Sequence, residues 1–111
     1  MPCDCAQADA PAATFTPWRR IGVDKTAGRF AEVEVLSCCK CGDLWLRYAV
    51  EYEGASRSGR WARGRVEADK ATSLSPQGAP AHLESLPDYV FGGSYFGGTA
   101  SEGSGPMPWG P

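Results

Sequence analysis

This sequence of 111 residues contains one histidine, His82, and that scarcity excludes a good deal. A Ser/His/Asp triad or a histidine-rich catalytic metal centre would have to be built on a single imidazole. There is no Gly-rich phosphate loop and no nucleophile elbow. No apolar run approaches the roughly 18 residues that would span a bilayer, so no membrane association is expected. The opening MPCDCAQADA lacks a basic segment followed by an apolar core, so no secretory signal is expected. Charge of one sign is also missing. With 11 Lys and Arg against 13 Asp and Glu, the net charge of −2 exerts no global pull toward nucleic acid or an acidic membrane. No internal repeat is visible.

What the sequence does hold is 14 glycines, 9 prolines and 5 cysteines, a composition that points to a loop-rich, β-leaning chain. The length suits one domain, with a core small enough to benefit from a staple. A cytoplasmic, reducing setting is expected, where clustered cysteines bind metal more often than they pair. The odd number of cysteines also argues against a complete disulfide framework.

Along the chain, a short strand is expected around Trp18–Val23, followed by a turn at Asp24–Gly28. Ala31, Val33 and Val35 alternate with Glu32 and Glu34, the period of a strand with one buried face. From Asp43 to Glu53 the alternation is clearest. Leu44, Leu46, Tyr48, Val50 and Tyr52 share one face, and a helix would scatter them around its circumference. Gly54 to Gly59 reads as a turn and Arg60 to Val66 as a returning strand. Glu67 to Ser73 reads as a polar connection. Ser75-Pro76 has the form of a helix N-cap with proline at the first helical position, which opens one short helix ending before Pro87. The run from Tyr89 to Gly98 reads as a strand interrupted at Gly92-Gly93, by a bulge, a bend or the close approach of another backbone. The expected fold is mainly β (small α+β): an antiparallel sheet of about four to five strands with one short helix. The domain is expected over residues 1–98, followed by a flexible Gly/Ser/Pro tail over 99–111.

The chemistry lies in VLSCCKCGDLWL. Cys38 and Cys41 form C-x-x-C followed by Gly42, and glycine readily takes the positive φ such a turn needs. Cys3 and Cys5 form a second pair. Four thiolates are the complement of a closed tetrahedral zinc site, so the expected structural Zn2+ ligands are Cys3, Cys5, Cys38 and Cys41. Cys39 is the alternative ligand, pairing with Cys41 as C-x-C. A redox dithiol at Cys38 and Cys41 is a further reading, although that motif usually opens a helix and here a strand follows. Cu(I) would also suit paired thiolates. His82, in the expected helix, reads as a surface residue.

SCCKCGDLW resembles one knuckle of a zinc-ribbon or rubredoxin-like zinc module, with Cys3-x-Cys5 standing where such modules usually have a second C-x-x-C. More loosely, CGDLWLRYAVEYE, SGRW and LPDYVFGGSYFGG together resemble small bacterial proteins, some of them similar to toxin-immunity proteins. No functional residue is carried over from that resemblance.

Two further stretches offer surfaces. Arg57, Arg60, Arg63 and Arg65 surround Trp61, an arrangement in which arginines could contact phosphate while the ring stacks on a base. The plainer reading pairs these arginines with Glu51, Glu53 and Glu67 across the hairpin. Phe91, Tyr95 and Phe96 sit among glycines and could face a ligand or a partner protein. Together these features lead to the expectation of a small non-catalytic zinc protein that binds another protein. A nucleic-acid-binding module and a thiol redox or metal-handling protein are the alternatives.

Overall fold

The computed structural model describes residues 4–7, 10, 12–26, 30–50, 59–93 and 100–106. They form one antiparallel sheet of six strands in sequential order. These are β1 (Phe15–Asp24), β2 (Ala31–Cys38), β3 (Leu44–Val50), β4 (Arg60–Arg65), β5 (Tyr89–Gly92) and β6 (Ser101–Gly103). Two short helices, α1 (Ala68–Ser73) and α2 (Ala79–Ser85), connect β4 to β5. The architecture is the small, mainly β antiparallel α+β fold expected, with one more strand and one more helix. No helix among the described residues is long and apolar enough to cross a membrane.

The strand alternation sorts residues onto two faces. Val35 pairs with Leu46 and Leu46 with Gly64, while Val33 pairs with Tyr48 and Tyr48 with Ala62. With Ala31 and Val50, these side chains form the main core, and Ala71 of α1 and Ala79 and Leu83 of α2 are buried against it. Gly64 makes that packing possible. A Cβ there would lie 2.4 Å from Leu86 Cδ1 and 2.8 Å from Leu83 Cδ2. The second face carries Leu36, Trp45 and Arg65 in one row and Glu34, Arg47, Arg63 and Val90 in the next.

Several local expectations are corrected. β1 begins at Phe15 and contains two register shifts, between Pro17 and Arg19 and between Arg20 and Gly22. Proline has no amide hydrogen for the ladder, so a strand containing Pro17 accommodates it at such an irregularity. Ala68–Ser73, expected as a connection, is α1. Its single buried residue, Ala71, is too weak a stripe to announce a helix. Ser75 caps as expected, accepting from the Gly78 amide at 3.2 Å, but the turn it caps is the 3-10 segment Pro76–Gly78 that leads into α2. Ser101–Gly103 lies in the stretch expected as a tail and pairs with β5 as the edge strand. The Tyr89 hydroxyl, donating to Gly105 O at 2.7 Å, fastens the chain just beyond it. The expected turn at Gly54–Gly59 falls largely outside the described residues, as do Tyr95 and Phe96.

Candidate metal centre

The second face of the sheet continues into the cysteine cluster. Cys38 ends β2 two residues after Leu36, so its side chain shares the face of Leu36 and Trp45. The chain then turns over Cys39–Gly42 and re-enters the sheet at Leu44. Gly42 donates to Cys38 O at 2.9 Å, and Cys38 donates to Asp43 O at 2.9 Å. Gly42 holds φ at 79°, the left-handed region in which a side chain is strained. The Lys40 amide points at Cys38 Sγ from 3.4 Å, a donor placed to stabilise thiolate charge. The sequence signal C-x-x-C-G thus builds a knuckle between two strands.

The third thiol arrives from far away in the chain. A 3-10 turn at Asp4–Ala6 lies across the sheet and buries Cys5 against Cys38 and Trp45, with Ala6 and Phe15 packed around them. The Sγ atoms of Cys5, Cys38 and Cys41 all lie within 4.8 Å of one another. Cys5 Sγ and Cys41 Sγ are 3.6 Å apart. Ligands on a tetrahedral zinc with Zn–S bonds of about 2.3 Å would be about 3.8 Å apart, so the spacing suits a shared ion. The three cysteines could hold a metal ion. Cys5 and Cys38 are buried and Cys41 is exposed, giving a cluster at the protein edge. Cys39 points elsewhere. Its amide is bonded to Thr14 O at 2.9 Å, and its exposed thiol lies 3.8 Å from Ala13 O. Cys3 lies outside the described residues.

Arginines surround the cluster. Arg63 is 4 % exposed, with its guanidinium 4.8 Å from the Phe15 ring centre, 5.4 Å from Trp61 and 5.5 Å from Trp45. Its Nη2 donates to Gln7 O at 2.6 Å and to Cys5 O at 3.3 Å. Burial pulls this guanidinium below its ordinary pKa, while the nearby Cys5 thiol opposes the shift and Arg47 adds to it. Arg65 bonds the Asp43 carboxylate and lies 4.7 Å over the Trp45 ring. The hydrogen bond to Asp43 raises the Arg65 pKa, partial burial opposes it, and the charges of Asp43, Cys5 and Cys41 raise it further.

Arg63 and Arg65 therefore differ from the expected glutamate pairing. Arg65 pairs with Asp43 rather than Glu67, and Arg47 lies 3.6 Å from Glu34. Arg60 is buried, in register with Val50. Arg57, Glu51 and Glu53 lie outside the described residues. Trp61 stays half-exposed on the second face, against Gly92. Phe91 packs partly buried against the main core, its ring at 64° to that of Tyr89. His82 accepts no role at the cluster; its Nε2 lies 2.9 Å from Arg65 O.

What the sequence did not disclose is that Trp45 and Arg63 belong to the cysteine site. Alternation alone assigns both to the solvent side of their strands. The arm that covers them lies some forty to sixty residues away in the chain, beyond any local pattern.

Comparison with protein-family models, with curated proteins and with solved structures finds no match to this chain. The fold and the three-cysteine cluster define its class as a small β-sheet protein with a potential thiolate metal site.

Proposed function

We propose that the protein is a small non-catalytic zinc protein, whose metal staples an N-terminal arm to the sheet, and that it works by binding another protein. The observation that carries the metal reading is the meeting of Cys5, Cys38 and Cys41 within 4.8 Å, on a turn of zinc-knuckle type. Cys3 completes a tetrahedron in this reading, and the knuckle is of the zinc-ribbon or rubredoxin-like kind. A closed four-thiolate site has no open position for substrate, which favours a structural role.

The interaction role is supported by the second face. One open groove is lined by Phe15, Pro17, Leu36 and Arg63, and another by Phe30, Glu32, Ala49 and Gly93; the two meet at Arg47 and Trp61. Phe30 is 66 % exposed at this face, a large apolar residue of the kind that anchors interfaces. An immunity-like module is one form that such a protein could take. The nucleic-acid alternative draws less support, because the burial of Arg60 and Arg63 breaks the basic platform it requires.

The test is metal analysis of protein purified without added metal, with thiol titration before and after chelation. About one zinc per chain, with four thiols becoming reactive on chelation, is the expected result. Metal-free protein whose Cys38 and Cys41 cycle between dithiol and disulfide would overturn it in favour of redox chemistry. For the interaction role, Phe30→Glu should abolish partner capture without changing metal content; capture that survives would remove this face as the interface.

A further inference from the structure

We propose that Arg63 is the positioning residue of the cysteine site: caged by Phe15, Trp45 and Trp61, its guanidinium holds the Cys5-bearing arm by two backbone carbonyls and sets a fixed positive charge beside the thiolates. The inference rests on the metal reading above and adds to it the element that assembles the site.

Among the described residues of the arm, Ala6 packs beside Cys5 in the small apolar cluster. Cys5 must cross the sheet to meet Cys38 and Cys41. Arg63 spans that gap, with both Nη2 contacts falling on this arm, at Cys5 O and Gln7 O. The planar guanidinium is well suited to the task, since it stacks on rings while directing its hydrogens in a fixed fork.

The charge argues the same way. Burying a guanidinium is costly unless an opposite charge accompanies it. Among the described residues no carboxylate pairs with Arg63; Glu34 in the same cross-strand row is engaged by Arg47. The anionic groups at hand are the thiolates. A zinc with four thiolates carries a formal charge of about −2, and Arg63 and Arg65 lie where they offset it. The aromatic cage thus places the arginine, and the arginine places the ligand.

The experiment is Co2+ titration of the whole protein, followed by the thiolate-to-cobalt absorption bands and by competition with a chelator. Arg63→Met keeps the length and apolar character of the side chain and removes charge and donors. It is expected to weaken Co2+ affinity by roughly 10–100-fold, the usual effect of losing a group that orients a metal ligand. The far-ultraviolet spectrum of the sheet should remain that of the parent. The thiolate-to-cobalt bands of the variant should also weaken, because the Cys5 thiolate is no longer held to the ion. Parental affinity in Arg63→Met would overturn the inference. Should Arg63→Met fail to fold, Arg63→Lys decides, since it keeps the charge but loses the fork: weakened affinity supports the positioning role and parental affinity overturns it. A parent protein that takes up no Co2+ would instead overturn the metal reading itself, a separate result from either variant outcome.

Discussion

The Tyr48 hydroxyl donates to the Asp24 carboxylate across 2.5 Å in the core, joining the end of β1 to the middle of β3. Both residues are almost wholly buried, and the other Asp24 oxygen accepts from the Thr26 amide at 2.9 Å. A buried carboxylate needs such donors. Tyr48→Phe keeps the ring and removes one donor, so it should lower stability by about 1.5–3 kcal/mol. Urea unfolding checks this, with a lower midpoint and an unchanged slope as the expected result.

The three cysteines of the knuckle should divide into two groups. Cys38→Ser and Cys41→Ser are each expected to lose the metal and to melt roughly 10 °C or more below the parent, because metal binding contributes folding free energy. Cys39→Ser should keep the metal and stay within about 0.5 kcal/mol of the parent, since its exposed thiol points away from the cluster. Metal content and melting temperature, measured on all three variants, separate this arrangement from one in which Cys39 is the ligand.

Gly42 and Gly64 should fail for different reasons when changed to alanine. At Gly42 a Cβ meets nothing within 4 Å, and the penalty is the positive φ, about 1 kcal/mol. At Gly64 the methyl would collide with Leu83 and Leu86, so α2 must shift, at about 1–3 kcal/mol. Thermal melts give the sizes. Loss of metal affinity in Gly42→Ala but not in Gly64→Ala would assign the first to the knuckle and the second to the core.

Tyr89 makes stability depend on alkaline pH. Burial raises its pKa above the ordinary phenol value, and the negative charge of Glu84 raises it further. The folded state therefore holds the proton more tightly than the unfolded state. This contribution is fully present below the ordinary value of about 10 and is lost as pH rises through the folded value. Melts across that window should show a fall in stability that Tyr89→Phe reduces. The variant should also loosen β6 at every pH, because it cannot bond Gly105 O.

The sheet was legible where burial follows a short period. Val33, Val35, Leu46, Tyr48 and Val50 were assigned from alternation and are buried together. The knuckle was legible because Cys38, Cys41 and Gly42 are nearly adjacent, so local turn geometry governs them. β6 gave no such signal. Ser101-Glu102-Gly103 has no apolar face, and main-chain pairing with β5 together with one distant tyrosine holds it. α1 stayed hidden for a similar reason, its contact with the core being a single alanine. Arg63 and Arg65 depart from expectation through their partners. Sequence proximity suggested glutamates, whereas Arg63 found two carbonyls nearly sixty residues away and three aromatic rings.

The sequential strand order has a kinetic consequence. Every strand pairs with its neighbour in the chain, so the sheet can assemble by successive local closures, the longest being the β4–β5 connection that carries α1 and α2, a route that favours rapid folding. The contact of Cys5 with Cys38 and Cys41 is different, because it closes a long loop and has little apolar surface to reward it early. Docking of the arm should therefore follow the rate-limiting barrier. In stopped-flow experiments, metal should leave the refolding rate almost unchanged and slow unfolding in proportion to its binding free energy. The staple would then act as a latch on escape from the native state.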